Sequence, residues 1–254
     1  SRVAIVGLGL IGGSLGLSFA SLYPEIEVAG FDTDPDVVEK ALEMGCIQFS
    51  GALPEIVAAA DYVFLCTPIG SITRIAEEVA GLCRPGTIIT DVGSTKQIVA
   101  EAFDKISAPG VAGIGGHPMA GSERHGITGS DRYLFENAAY ILTPAPGTPD
   151  DILAFMNELL ACTGARIKRL TAERHDELVA AISHIPHLTA AALVNMTRGD
   201  EEHLMMAAGG FRDTTRIASS NPELWDNIIF SNQEIIVDKL DLLIENLIKL
   251  REAI

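Results

Sequence analysis

Apolar residues in the first 170 positions follow two alternating patterns. Short runs rich in β-branched residues are typical of buried parallel strands, and longer stretches with apolar residues three and four apart are typical of helices. Strands are predicted at 3–6, 27–31, 61–65, 87–90, 110–115, 139–143 and 165–169. Helices are predicted between them, at 11–22, 35–44, 54–60, 69–82, 95–105 and 150–162. This alternation predicts an α/β fold with a doubly wound sheet.

The pattern changes after Thr171, where strand signals stop and the apolar period becomes helical. Residues 178–194 contain no Asp, Glu, Lys or Arg, which predicts a helix buried on most sides and kinked at Pro186. We therefore place a domain boundary near Leu170. A Rossmann-type domain over 1–170 would precede a smaller all-α domain over 171–254.

The last helical segment carries an apolar stripe with a spacing close to that of a coiled coil. It consists of Ile229, Ile236, Leu240, Leu243, Leu247, Leu250 and Ile254. An all-α domain of this size has little core of its own. We expect a homodimer built on the C-terminal helices; the alternative is a stripe that packs only within its own chain.

The first strand leads directly into a glycine-rich turn, Gly7-x-Gly9-x-x-Gly12. Gly7 allows the tight turn, Gly9 lets a pyrophosphate approach the backbone, and Gly12 brings the helix close to the strand. Leu10 and Ile11 open that helix, whose N-terminus offers free N–H groups to phosphates. The alternative is a sheet of this type that binds no dinucleotide.

The second predicted strand ends at Asp32, at about the distance expected for a carboxylate that accepts the adenosine ribose hydroxyls. This carboxylate would repel a 2′-phosphate, and no Lys or Arg follows it directly. NAD is therefore favoured over NADP.

The net charge of −16 makes nucleic acid an improbable partner, and it means that an anionic substrate must meet a local cluster of cations. Four scattered cysteines without a C-x-x-C pair favour a reducing compartment. The first residues enter a strand without a signal-peptide pattern, and no apolar run has the length of a membrane span. We expect a cytoplasmic protein that does not bind a membrane.

Ligands of open α/β sheets bind outside the carboxyl ends of the strands. Three polar clusters follow predicted strands, and the first would lie along the cofactor. The clusters are Cys66-Thr67-Pro68, Asp91 to Lys96 with Gly93 and Ser94, and His117-Pro118.

His117 is a candidate general base, because imidazole titrates near neutral pH and can take a proton from an alcohol as hydride leaves the same carbon. Ser94 could bond to that alcohol or orient the imidazole. The alternative is that His117 is a turn residue satisfied by backbone groups.

Two polar groups stand out in the helical part. Three roles are open for His184 and His187: metal ligands, packed core residues, or donors to an anionic substrate. A metal site ranks lowest, because no nearby Cys or carboxylate completes a ligand set. Arg212 and Arg216 lie four residues apart, after a glycine pair that begins at Gly209. Arginine binds carboxylates bidentately. Arg212 suits a surface salt bridge with an aspartate, and Arg216 is the better substrate ligand.

Five motifs in this order resemble those of the prephenate dehydrogenase family, which includes arogenate and cyclohexadienyl dehydrogenases. They are Gly7-Leu-Gly-Leu-Ile-Gly-Gly-Ser14, Asp91-Val-Gly-Ser-Thr-Lys96, His117-Pro-Met-Ala-Gly121, Ser183-His-Ile-Pro-His187 and Gly210-Phe-Arg-Asp-Thr-Thr-Arg216, with Trp225. The resemblance covers nearly the whole chain. It implies NAD-dependent oxidative decarboxylation of prephenate to 4-hydroxyphenylpyruvate in tyrosine biosynthesis, without a metal.

On this model, His117 is the catalytic histidine and Ser94 orients the pair that it forms with the ring hydroxyl. Arg216 grips a substrate carboxylate. The other substrate-binding candidates are Ser122, Glu123, Ser183, His184, His187, Gly209 and Trp225, and the resemblance leaves open whether Trp225 comes from the same chain or from the partner subunit. Glu123 would repel a second carboxylate or pair with an amino group, and so separate prephenate from arogenate.

Three other functions stay open. The first is an arogenate-preferring dehydrogenase that forms tyrosine. The second is a 3-hydroxyacid dehydrogenase, although residues 178–194 lack the lysine expected there as its acid/base. The third is a sensor that binds NADH without turnover, which would need the glycine turn but not Ser94, His117 and Arg216.

Overall fold

Eight strands form one sheet in the computed structural model, which describes residues 1–23, 25–122 and 124–254. The strand order is β3-β2-β1-β4-β5-β6-β7-β8. The strands are β1 (Arg2–Val6), β2 (Glu27–Phe31), β3 (Phe49–Ser50), β4 (Tyr62–Leu65), β5 (Ile88–Asp91), β6 (Ala112–Pro118), β7 (Ala139–Pro144) and β8 (Arg166–Arg169). The first six run parallel, β7 pairs antiparallel with β6, and β8 is parallel to β7. The α/β fold predicted from the sequence is confirmed.

Helices connect the strands on both faces of the sheet. They are α1 (Leu10–Leu22), α2 (Pro35–Glu43), α3 (Leu53–Ala58), α4 (Ile69–Leu82), α5 (Gln97–Phe103) and α6 (Asp150–Ala161), with a 3₁₀ turn at Ile127–Gly129. Side chains of β1 alternate between two buried clusters, Val3 and Ile5 in one and Ala4 and Val6 in the other. Burial on both faces explains why the strand is apolar at every position rather than at every second one.

The chain divides into two compact units, residues 1–175 and 176–254. The division falls within α7 (Ala172–Val179), after the boundary expected near Leu170. The remaining helices are α8 (Ile185–Met196), α9 (Glu201–Met206), α10 (Gly209–Thr215), α11 (Pro222–Ser231) and α12 (Gln233–Ala253), with a 3₁₀ turn at Arg216–Ser219.

A π-helical segment, Ala180–His184, joins α7 to α8 directly before Pro186. The N–H of Ile185 donates to the carbonyl of Ala180, five residues back, and this wider turn relieves the clash that a proline ring makes inside a regular helix. The irregularity predicted at Pro186 is therefore a wide turn.

The prediction that this helical region is buried on most sides is wrong for the single chain. Ile182 and Met196 are 65 % and 74 % exposed, so only one face is covered. The continuous helical run Ala172–Met196 also has the length and mean hydropathy of a membrane span. The expectation from the sequence rested on uninterrupted apolar runs alone and did not include this helix. Core helices of soluble proteins pass the same test, so this is weak evidence for a membrane.

The apolar stripe of the last segment has two parts. Its first part packs within the chain, where Ile236 contacts Ala180 and Ile185 in a small core. Its last three positions are exposed: Leu247, Leu250 and Ile254. The alternative of packing within one chain thus holds for the first part alone.

Candidate active site

The glycine turn after β1 is shaped by close backbone contacts. Gly7 has φ +98°, and a Cβ there would lie 2.8 Å from the carbonyl carbon and oxygen of Cys66. A Cβ on Gly12 would lie 2.1 Å from the carbonyl oxygen of Gly7. These contacts require glycine at both positions.

Gly9 differs from its two neighbours in the motif. No described atom beyond its chain neighbours lies within 4 Å of the point where a Cβ would be. The open space lies at the N-terminus of α1, where the N–H groups of Leu10 and Ile11 begin the helix without side-chain caps. A pyrophosphate fits this arrangement, because the turn leaves its backbone accessible and the helix end carries partial positive charge.

Gly9→Ala and Gly12→Ala are expected to separate cofactor binding from folding. Gly9→Ala keeps its unfolding temperature but raises the Kd for NAD about tenfold or more, which is about 1.4 kcal/mol, because the methyl group occupies the phosphate space. Gly12→Ala loses about 1–3 kcal/mol of stability, because its methyl group meets backbone. Thermal unfolding and NADH fluorescence titration measure the two effects. A Gly9→Ala protein that is destabilised but binds NADH normally would contradict the assignment.

Asp32 is held at the end of β2 by two backbone donors. Oδ2 accepts the N–H of Leu8 at 2.8 Å, and Oδ1 accepts the N–H of Asp34 at 3.1 Å. Each carboxylate oxygen keeps further acceptor capacity. The contact with Leu8 fixes the carboxylate beside the glycine turn, as a ribose-binding group requires.

The loop after β4 lies against this turn. Thr67 Oγ1 is buried and has no hydrogen-bond partner among the described residues, so its hydrogen-bonding capacity is unused there. Burial, together with the nearby charge of Asp91, raises the pKa of the Cys66 thiol well above its usual range. Cys66 therefore stays a neutral thiol at neutral pH, and Pro68 follows as the N-cap of α4.

A buried carboxylate, Asp91, connects the loop after β5 to the end of β6. Its Oδ2 accepts the N–H of Gly93 at 2.7 Å, and its Oδ1 accepts the N–H of Gly116 at 2.9 Å. Oδ2 also pairs with the ammonium of Lys96, and both side chains are fully buried. The residue before the half-buried Ser94 and the residue before His117 are thereby bonded to one side chain.

His117 is the sixth residue of β6 and points to a second histidine, His175 on α7. His117 Nδ1 lies 2.8 Å from His175 Nε2, and the ring centroids are 5.0 Å apart. His175 is only 1 % exposed, whereas His117 is half-buried. Both belong to the first compact unit. His117 therefore has a side-chain partner, a contact that the alternative of a turn residue satisfied by backbone groups did not include.

An aromatic group of the second unit brings three of the candidate residues together. His187 stacks on Trp225 of the same chain with centroids 3.6 Å apart, and His184 meets the indole edge-on. Burial lowers the pKa of His187, opposed by its hydrogen bond to the carbonyl of Ile217. His187 is therefore neutral at pH 7, and its buried Nδ1 has no partner among the described residues.

His184 is 1 % exposed, and its Nδ1 lies 3.4 Å from Nδ2 of Asn232. The same Asn232 amide donates to the carbonyl of Asp176 at 3.0 Å. Ser183 precedes His184 in the π-helical segment and is half-buried. His184 is thus a core residue of the helical unit.

Arg216 follows the end of α10 and is exposed, and Gly209 is the first residue of that helix. The prediction of a salt bridge for Arg212 is wrong, because Arg212 forms no ion pair with any residue in the described ranges 1–23, 25–122 and 124–254. Ser122 is exposed and accepts the N–H of Arg124 at 3.1 Å. Glu123 lies outside the described residues.

One residue of the site, His175, was missed in the sequence, and Lys96 was noted there only as part of a polar cluster and a motif. Ala172, His175, Asp176 and Val179 are all buried on α7, with the spacing of one helix face. Polar residues at core-facing helical positions are a signal that they have buried partners. That signal was present at His175, but its partner lies 58 positions away.

Comparison with known proteins relates both units of the chain to one family. A family model for the prephenate dehydrogenase nucleotide-binding domain matches residues 16–169, and one for the prephenate dehydrogenase dimerization domain matches residues 171–254. The chain is 38% identical over 256 residues to prephenate dehydrogenase of Bacillus subtilis (strain 168), covering 98% of this chain and 69% of the relative.

Two crystal structures share the fold of the whole chain. Synechocystis arogenate dehydrogenase has a TM-score of 0.87 and 34% identity, covering 99% of this chain and 91% of that one. Prephenate dehydrogenase from A. aeolicus, in complex with hydroxyphenyl propionate and NAD⁺, has a TM-score of 0.88 and 28% identity, covering 99% and 90%.

Proposed function

The chain belongs to the prephenate dehydrogenase family, and on that premise we propose that it oxidises and decarboxylates prephenate to 4-hydroxyphenylpyruvate with NAD⁺. One observation carries the proposal. His117 lies at the carboxyl end of β6, on the edge of the parallel strands where β1 leads into the glycine turn. A base and a dinucleotide turn at one edge of a sheet suit hydride removal from an alcohol.

His117 moves the proton in this reaction. Its imidazole accepts the proton of the ring hydroxyl while hydride leaves the same carbon, which becomes a carbonyl carbon. Loss of CO₂ then makes the ring aromatic, and the phenolic oxygen takes a proton back. His117 thus accepts the proton in the first step and donates it in the second, so one histidine is sufficient as the base and the acid. Ser94, in the loop tied to Asp91, donates to or accepts from the hydroxyl to orient it.

NAD is the cofactor, and it accepts the hydride when bound. Gly7, Gly9 and Gly12 shape its phosphate site, with Leu10 and Ile11 offering backbone N–H groups. Asp32 binds the adenosine ribose. The remaining contacts come from the loops after β4 and β5: Cys66, Thr67, Pro68, Gly93 and Ser94.

The helical unit carries the groups that suit the anionic part of the substrate. Arg216 binds a carboxylate as a cation, which the chain's net charge of −16 makes necessary. His187 contributes a neutral hydrogen-bonding nitrogen rather than a charge, since burial lowers its pKa. Trp225 holds its ring in place. The other candidates are Ser122, Glu123, Ser183, His184 and Gly209.

Arg216→Ala is expected to raise the KM for the substrate about 10- to 100-fold, the effect of losing a charged hydrogen-bond pair worth about 1.5–3 kcal/mol. Arg212→Ala is the matched control, since Arg212 lies one helical turn earlier and is exposed. Initial rates over a range of substrate concentrations separate KM from kcat. Equal KM values for the two variants would remove Arg216 from the substrate site.

The test of the function is NADH formation by the purified protein with NAD⁺ and either prephenate or arogenate. The likeness to Synechocystis arogenate dehydrogenase makes arogenate the second candidate substrate. A higher kcat/KM for prephenate supports the proposal as stated. A higher kcat/KM for arogenate would identify arogenate as the preferred substrate instead. Tight NAD⁺ binding without turnover of either substrate would overturn it in favour of an NADH sensor.

We propose further that the protein is a cytoplasmic homodimer built on its C-terminal helices. The dimerization-domain model covers residues 171–254, and the exposed Leu247, Leu250 and Ile254 provide an apolar surface there. The four cysteines are free, which suits a reducing compartment. Light scattering measures the oligomeric state directly.

A further inference from the structure

His175 is a buried imidazole to which the proposed chemistry gives no role. It lies on α7, 1 % exposed, with Nε2 directed at Nδ1 of His117 at 2.8 Å. The rings meet at 67°, close to edge-on. A nitrogen-to-nitrogen distance of this length is a hydrogen bond, so one of the two nitrogens carries a proton and the other a lone pair.

The direction of this bond decides what His117 can do. If His175 donates, Nδ1 of His117 is the acceptor and the proton of neutral His117 sits on Nε2. That nitrogen then cannot take a proton from an alcohol. If His117 donates from Nδ1, its Nε2 keeps the lone pair and can act as a base.

We propose that His175 is a positioning residue that accepts a hydrogen bond from Nδ1–H of His117 and so reserves Nε2 of His117 for the substrate hydroxyl. This inference rests on the proposed function, because only proton abstraction requires a lone pair on that nitrogen. His175 does not touch the substrate. It sets the tautomer and the ring orientation of the residue that does.

The same bond persists when His117 becomes charged. An imidazolium donates from both nitrogens, so His175 can remain its acceptor while Nε2 holds the substrate's proton. A neutral acceptor inside the protein stabilises that positive charge without adding a second charge. Because His175 is buried, bulk water is not positioned to replace it.

Nitrogen-15 NMR of histidine-labelled wild-type protein tests the tautomer without any turnover. The His117 signals are identified by their loss in His117→Asn. At a pH where His117 is neutral, we expect a protonated Nδ1 and an unprotonated Nε2. A protonated Nε2 in the wild type would overturn the proposal, whatever the activity.

Two variants test the consequence for catalysis. His175→Leu removes the acceptor and is expected to lower kcat about 10- to 100-fold with KM and NADH affinity little changed. His175→Gln places an amide oxygen near the position of Nε2 and is expected to recover most of the lost kcat. His203→Leu, at an exposed position on α9, is the matched control.

The outcomes separate this inference from the function on which it rests. Wild-type protein without turnover defeats the proposed function, while the NMR result still decides the hydrogen-bond direction. Active wild-type protein with an equally active His175→Leu variant defeats the role of His175 alone. Equal losses of kcat in the Leu and Gln variants would also count against it, and if neither variant folds, the wild-type NMR spectrum still gives the answer.

Discussion

His117→Asn is expected to lower kcat by about 10³- to 10⁴-fold while NADH affinity stays within about twofold of wild type. Asparagine preserves a polar side chain of similar size on β6, but it has no nitrogen that accepts a proton at neutral pH. Hydride would then have to leave a carbon whose hydroxyl keeps its proton. Steady-state rates and NADH fluorescence titration measure the two quantities.

The matched control for this prediction is His203→Asn. His203 is exposed on α9, where its Nδ1 lies 3.6 Å from Oδ2 of Asp200. The kcat of the His203→Asn variant is expected to equal that of wild type. A His117→Asn protein that keeps more than about a tenth of the wild-type kcat would show that another group accepts the hydroxyl proton.

Asp91→Asn is expected to cost about 3–5 kcal/mol of folding stability, because it removes the negative charge that pairs with the buried ammonium of Lys96. The variant also replaces a carboxylate oxygen by an N–H₂ group, which cannot accept the N–H of Gly93 or Gly116. The two loops that carry Ser94 and His117 should loosen together, so kcat falls as well. Denaturant unfolding measures the stability.

Two further variants show whether the buried pair of Asp91 and Lys96 is the cause of the loss of stability. Glu27→Gln breaks the exposed ion pair with Arg2 and is expected to cost less than about 1 kcal/mol. Asp91→Asn combined with Lys96→Met removes both charges, and it should be more stable than Asp91→Asn alone. If the single Asp91 variant were as stable as Glu27→Gln, the carboxylate would have no special structural role.

Much of the fold could be predicted because its determinants are local. The strand before Gly7, the turn and helix α1 are contiguous, and each residue type matches one requirement of the backbone. The helix α2, predicted at 35–44, begins where Asp34 caps it and Pro35 occupies its first position. The two-residue strand β3 escaped prediction, since Phe49–Ser50 is too short to show any period.

The direction of β7 was not predicted, because strand pairing depends on contacts distant in sequence. Its antiparallel pairing places Ile141 opposite His117. The burial of residues 178–194 was overestimated for a related reason. An uncharged stretch shows that its surface can be covered, but it does not show whether the cover belongs to the same chain.

The candidate site divides in the same way. His117 and Ser94 could be proposed because each follows a strand within a recognisable motif. Lys96 was recorded only as part of a motif, since nothing in the sequence shows that its ammonium is buried against Asp91. His175 lies between charged residues, Arg174 and Asp176, in a segment typical of a solvated helix. Its spacing from Ala172 and Val179 is a signal of burial, but no local pattern identifies His117 as its tertiary partner.

The end of the first compact unit at His175 affects how members of this family can be recombined. A chimaera joined at Leu170, between the two family domains, would take His117 from one parent and His175 from the other. His117 Nδ1 and His175 Nε2 lie 2.8 Å apart, so the backbone segments from the two parents would have to match closely to keep this hydrogen bond. A crossover placed after His175 inherits both imidazoles from one parent and keeps the histidine pair intact.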